Sequence, residues 1–308
     1  PDVSKATAID MKATIIEADG LKITDWEDNY YPKLNGRNLS IKPYEFSRSV
    51  AISPDKQSFL LGTSWHLRYY DRQGTEKWNV TAPATPWMIN ISGDSKVAVI
   101  AFGDGIIRWY RLKDGKNILS LFPHNDRKRW VLWTTSGYYD ASAGAEELIG
   151  WHVNNSPDMA SDFFSISRFR NTYYRTDMIE KVLETLDEKV AIKLANEESG
   201  KKKPEEDVSI KKILPPVVSI TSPSDGVTVS SNTIAVKYTV RSPSGEPVTN
   251  VKFLVNGRPV STTRDMVFDQ TGAELKVTQD DIETLNAIER VSPVFSTINL
   301  LRTFHHLT

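Results

Sequence analysis

The chain has 308 residues, 38 Lys and Arg against 39 Asp and Glu, and a formal net charge of -1, so no overall field recruits nucleic acid or an anionic membrane. It has no cysteine, which excludes disulfides, thiolate metal sites and a cysteine nucleophile, and fits a reducing, cytoplasmic setting. A hydrophobic content of 39% with 8 Trp, 11 Tyr and 11 Phe suits an aromatic-rich β protein of about two domains, and no run approaches the ~18 apolar residues of a membrane helix.

The first residue is Pro1 and PDVSKATAIDMK lacks a basic region followed by an apolar core. The chain therefore reads as a fragment or processed product with no signal peptide. Ala13 to Glu17 and Leu21 to Trp26 form a predicted hairpin about Asp19-Gly20, a preferred two-residue turn. Leu39 to Ile41 is the expected outer strand of this partial unit.

Between Ser47 and Phe122 one pattern occurs twice. Ile52-Ser53-Pro54-Asp55 aligns with Ile91-Ser92-Gly93-Asp94, and Arg68-Tyr69-Tyr70 with Arg108-Trp109-Tyr110. The offset of about 40 residues is the period of a four-stranded propeller blade. The first copy has strands at Ser49 to Ser53, Ser58 to Gly62, Trp65 to Asp71 and Glu76 to Val80. The second has them at Met88 to Ser92, Lys96 to Phe102, Ile106 to Leu112 and Asn117 to Phe122. Short β-branched and aromatic runs parted by Gly/Asp turns are the all-β signature. Arg129 to Trp133 and Tyr138 to Asp140 begin a third copy, and Ile149 to Val153 adds a strand.

A short helix is expected around Ser167 to Tyr173. A longer one follows, with Asp177 and Glu180 as a capping pair and Ile179, Val182, Leu183, Leu186, Val190 and Leu194 on one face. NEESGKKKPEEDVSIKK reads as a charged linker. From Leu214-Pro215-Pro216 the pattern alternates, with strands at Val217 to Thr221, Ile234 to Arg241 and Val251 to Val255, as in an immunoglobulin-like sandwich. Glu274 to Thr278 is a further strand, Asp280 to Arg290 a helix, and Val294 to Leu301 is apolar without a clear pattern.

RWVLWTTSGYYDAS, LIGWHVN and SRFRNTYYRTDMIEKVLETL resemble a segment of bacterial proteins that join WD40 repeats to a caspase-like peptidase. The order there is propeller, this segment, helical linker, immunoglobulin-like module, peptidase. The resemblance covers roughly Leu21 to Val260, after which the sequence departs from the family's sandwich strands. It implies a neighbouring peptidase beyond this chain and no catalytic residue within it.

Other chemistries are less well founded. The five histidines lack metal-binding spacing, and His305-His306 reads as a tail. Asp140, Glu146, Glu147, His152, Ser136 and Ser142 lie close in sequence, but without a nucleophile elbow. Gly103-Asp104-Gly105 lacks the Lys-Ser/Thr of a phosphate loop and reads as a turn. Arg127, Lys128, Arg129 and Trp130 form a basic aromatic patch, the type of group that meets a phosphate backbone. Most aromatics belong in packing. Trp65, Trp87 and Trp130 border turns and are the candidate exposed anchors, with Arg127 and Arg129 beside the last.

The expected protein is mainly β. It comprises a partial WD40-type propeller over residues 1–155, a helical and charged linker over 156–212, and an immunoglobulin-like sandwich over 213–308, altered after 260. Its expected role is non-catalytic: it binds a protein partner and positions or restrains a neighbouring peptidase, with no cofactor, metal or membrane. Open blade edges offer self-association. The alternatives are an enzyme or small-molecule binder with a site between propeller arc and sandwich, and nucleic-acid binding through Arg127 to Trp130.

Overall fold

The computed structural model describes residues 14–155, 157–158, 160–200, 210–225 and 236–248, and the backbone alone of 233–235, 254–255, 258–259 and 273–278. The chain divides into two compact units, Pro1–Pro204 and Glu205–Thr308.

The first unit begins with four short strands in sequential order: β1 (Glu17–Ala18), β2 (Leu21–Thr24), β3 (Lys33–Leu34) and β4 (Arg37–Asn38). The Asp19-Gly20 turn falls where expected. Leu39 to Ile41 is not a strand. The outer hairpin forms earlier, around Asn35 (φ 50°) and Gly36 (φ 81°), because an Asn-Gly pair accepts the left-handed backbone of a two-residue turn.

The two sequence repeats fold as adjacent antiparallel sheets. One contains β5 (Ser47–Ile52), β6 (Ser58–Thr63), β7 (His66–Asp71) and β8 (Glu76–Thr81). The other contains β9 (Pro86–Ile91), β10 (Val97–Phe102), β11 (Ile107–Arg111) and β12 (Lys116–Pro123). The third copy does not start a new sheet. Its strands β13 (Trp130–Trp133) and β14 (Tyr139–Ala141) extend the second one, with Leu121 opposite Leu132, to give six strands. The reason is the tight hairpin after β12, closed by the His124 N–H donating to Arg129 O; a tight hairpin keeps its strands in one sheet.

Strand alternation explains the core. All six residues of β6 are buried, because its two faces enter different cores. Phe59 and Leu61, with Val50, Ile52 and Tyr70, meet Leu21, Ile23, Leu34 and Leu39 of the first sheet. Leu60, with Ala51 and Leu67, meets Ile89, Ile91, Ala98, Ile100, Phe102, Tyr110 and Leu112 of the six-stranded sheet. Each such large side chain contributes roughly 1.5–3 kcal/mol when fully buried. The outer strand β8 alternates half-buried and exposed residues. Ser49 Oγ donates to Pro86 O at 2.7 Å, tying β5 to β9.

Beyond β14, the strands β15 (Gly150–Val153) and β16 (Asp162–Ser165) pair with each other. A 3-10 turn, Ile166–Phe169, leads into α1 (Arg170–Tyr173). The single long helix expected next is two: α2 (Thr176–Thr185) and α3 (Glu188–Glu198). Leu186 breaks it with φ 54°, and Asp187 caps α3 by accepting from Lys189 and Val190 N–H. Asp177 does not cap α2, whose N-terminal flank is Arg175. Consequently Met178, Ile179 and Val182 are buried while Leu183, Val190 and Leu194 are exposed. These helices, expected within a linker, lie on the six-stranded sheet. Thr134 Oγ1 donates to Glu188 Oε1 at 2.7 Å, and Arg111 Nη1 donates to Leu186 O at 2.7 Å.

The second unit has a 3-10 turn at Ile210–Ile213, then β17 (Val217–Ser222), β18 (Thr233–Arg241), β19 (Leu254–Val255), β20 (Arg258–Pro259) and β21 (Ala273–Thr278). β17, β18 and β21 form a three-stranded sheet, and β19 and β20 a hairpin. β21 pairs with β18, Ala235 opposite Lys276. The sheet thus continues past the point where the sequence departs from the sandwich pattern. The expected helix at Asp280 to Arg290 and the apolar run Val294 to Leu301 fall outside the described residues. Among the described residues no helix is long and apolar enough to cross a membrane. The molecule is mainly β, in several antiparallel sheets with none closed into a barrel.

Candidate functional site

Antiparallel alternation sorts the loops of the first unit into two ends. The start of β5, the β6–β7 turn, the β8–β9 connection, the β10–β11 turn and the β12–β13 turn share one end. Trp65, Trp87, Arg127, Arg129 and Trp130 all lie there, although they are spread over 66 positions of sequence from Trp65 to Trp130.

Several residues that sequence reading missed complete this end. Tyr30 and Phe46 face each other with ring centres 4.0 Å apart, and Tyr31 meets Tyr30 at 6.4 Å. The Arg48 guanidinium lies 5.1 Å from the Phe46 ring centre and 5.6 Å from that of Trp87. The result is one row, Tyr31–Tyr30–Phe46–Arg48–Trp87, crossing all three stacked sheets. Arg48 also pairs with Asp28, and a cation held over aromatic faces is worth about 0.5–2 kcal/mol. Trp65 is 52% exposed, Trp87 57% and Tyr44 79%, and Met88 adds apolar surface. The Trp87 indole passes close over Gly103, where a Cβ would stand 3.0 Å from Nε1.

The row rests on a buried ionic network. Glu45, between Tyr44 and Phe46, is fully buried. Its Oε1 accepts from Arg68 Nε at 3.1 Å and its Oε2 from Arg68 Nη2 at 2.7 Å; Lys42 N–H donates at 2.9 Å. Thr63 Oγ1 donates to it as well, and His66 Nδ1 lies 3.1 Å away. Arg68 turns its Nη1 to Glu76 at 2.6 Å. Burial pushes the Glu45 carboxyl up, but the hydrogen bonds from Arg68, Thr63 and Lys42 outweigh it and hold the group at about 2. A fully paired buried network of this kind gives the 42–46 loop a single geometry.

The basic patch divides. Arg127, at φ 59°, and Lys128 are exposed, and no side-chain partner of theirs occurs among the described residues. Arg129 is not free: its Nε donates to Asp126 Oδ2 at 2.6 Å. The Arg129 backbone N–H, then that side-chain pairing and the Lys128 backbone N–H, draw the Asp126 carboxyl far below its usual range. Trp130 is half-buried on β13, with its backbone N–H donating to Ser142 Oγ at 2.8 Å, and its side chain is less open to solvent than those of Trp65 and Trp87.

The residues considered for hydrolysis are not brought together. Ser142 is bound to the Trp130 backbone, His152 Nε2 meets Ser161 Oγ at 2.8 Å, and Glu146 takes Tyr139 Oη at 2.7 Å and Arg170. Gly103-Asp104-Gly105 is a hairpin turn whose Asp104 pairs with Arg108. No group of three metal-ligating side chains occurs among the described residues, and His305-His306 falls outside them.

Comparison with protein families matches residues 216–281 to a bacterial Ig domain, which carries the immunoglobulin-like assignment 21 residues past Val260. It matches no WD40 or caspase-like family. No curated protein matches the chain.

Proposed function

We propose that this chain is a non-catalytic interaction region of a WD40-type regulatory protein, and that its sheet stack binds a protein partner through the aromatic end. The observation that carries the reading is the row from Tyr31 to Trp87. Large aromatic side chains are left exposed side by side on loops fixed by a buried ionic network, and such anchors dominate protein interfaces. The two four-stranded repeats and their stacking support a blade-type description of β5–β12. The resemblance of the segment around Trp130 to Trp151 adds the neighbour: a caspase-like peptidase that this region positions or restrains, with the immunoglobulin-like module as spacer.

The test compares two sets of variants in affinity capture from native lysate, followed by reconstitution with the purified captured protein. Trp65→Ala with Trp87→Ala is expected to weaken the reconstituted complex at least tenfold, and Asp19→Ala with Lys56→Ala to leave it unchanged. Equal effects of both pairs would reject the reading. So would turnover of a protease or esterase substrate panel that is abolished by Asp140→Ala or His152→Ala.

A further inference from the structure

We infer that the aromatic end takes an extended peptide segment bearing apolar anchors with carboxylates between or beside them, lying across the six-stranded sheet from Trp87 to Arg127. The inference rests on the reading of this end as a protein-binding face and adds the chemistry of what binds.

Geometry sets the length. Neighbouring strands lie ~4.8 Å apart, so the three to four spacings from β9 to the β12–β13 turn span ~14–19 Å, the reach of about five or six extended residues at ~3.3 Å each. One limit of that line is apolar, with Trp87 and Met88 both more than half exposed. The other limit is cationic, with Arg127 and Lys128.

Charge sets the chemistry. The acids along the line are already neutralised within the protein. Asp104 is held by both Arg108 terminal nitrogens, at 3.1 and 2.6 Å, and Asp126 by Arg129. At the apolar limit, Asp28 is paired with Arg48. Arg127 and Lys128 have no acid among the described residues, so the line keeps uncompensated positive charge beside an apolar anchor. Glu27 and Glu147, without a side-chain partner among the described residues, lie beyond its two limits, on the first sheet's loop and past β14. An acidic, apolar peptide satisfies both features. A nucleic acid does so less well, because its regularly spaced phosphates would pass Asp104 and Asp126 and meet only two unpaired cations.

The test uses the full chain and four labelled probes in fluorescence anisotropy: a peptide of about twelve residues with Leu and Glu interspersed, its copy with Gln for every Glu, its copy with Lys for every Glu, and a thymidine oligonucleotide of similar length. The acidic peptide is expected to bind at least tenfold more tightly than the Gln copy, and the Lys copy not to bind. Arg127→Glu with Lys128→Glu is expected to remove that preference without changing the melting temperature, since both side chains are exposed. Equal affinity for the acidic and Gln copies, no binding by the acidic peptide, or tighter binding of the oligonucleotide overturns the inference. If the acidic and Gln copies bind equally but both weaken in Trp87→Ala, only the charge preference falls and the aromatic face remains. If peptides bind and none is sensitive to Trp87→Ala, the reading of this end falls with it.

Discussion

The two ends of the same strands are built to different plans. At one end, Tyr30, Tyr31, Tyr44, Trp65 and Trp87 are exposed beside a buried Glu45–Arg68 pair. At the other, the turns satisfy their polar groups with their own side chains. Ser53 Oγ donates to Asp55 at 2.5 Å and Ser92 Oγ to Asp94 at 2.6 Å, with Lys56 (φ 59°) and Ser95 (φ 57°) closing equivalent turns. Asp19 pairs with Lys56 and Asp55 N–H reaches Ser95 Oγ at 3.1 Å, so polar contacts bridge all three sheets there. Strand packing needs only the second plan. The first exposes apolar surface that packing does not require, which supports the proposed binding role.

The largest expected effect tests the foundation of the aromatic end. Glu45→Ala leaves the Arg68 charge buried without its main partner and is expected to cost about 3–5 kcal/mol in urea unfolding. The same carboxylate ties stability to acid. Its pKa is lowered on folding from 4.5 to about 2, so its contribution is complete above about pH 4.5 and is lost as the pH falls towards 2. Acid titration of Glu45→Gln should lack that component; an unchanged profile would show that the network does not anchor the loop.

The opposite end has its own sensitive point in Gly115. Its φ is 69° and a Cβ would stand 2.8 Å from the Trp78 ring, whose Nε1 donates to Leu112 O at 2.7 Å. Gly115→Ala is expected to cost about 1–3 kcal/mol and to leave partner binding at the aromatic end intact. Trp87→Ala should show the reverse: a stability loss of no more than about 1 kcal/mol, from the Arg48 contact over its exposed ring, and partner affinity at least tenfold weaker. The smallest effect is expected from Lys56→Ala. It removes a pair between two largely solvent-exposed side chains, so neither melting temperature nor binding should move measurably.

The difference between the ends also explains what the sequence disclosed. The tight turns are local. The stretches from Ile52 to Ser58 and from Ile91 to Val97 contain the residues their turn geometry needs, so the repeat and its strands were readable directly. Trp65 and Trp87 were legible because each borders a turn. The row that joins them was not, since Tyr30, Phe46, Arg48 and Trp87 come from three sheets and meet only after stacking. The Glu45–Arg68 pair spans 23 positions and has no spacing rule. Leu186 hid the break between α2 and α3, because an apolar residue in left-handed conformation keeps the helical periodicity unbroken on paper; Asp187 as a cap was the available signal. The Asp126–Arg129 pair was local and readable, and would have separated Arg129 from the exposed cations Arg127 and Lys128.

The central claim concerns which end meets a partner, and site-specific photocrosslinking in the native cell measures that directly. A photoreactive residue placed at position 87 or 65 should yield a discrete protein adduct, and one placed at position 56 or 113 should not. Adducts formed from positions 56 and 113 with none from 87 and 65 would contradict the account.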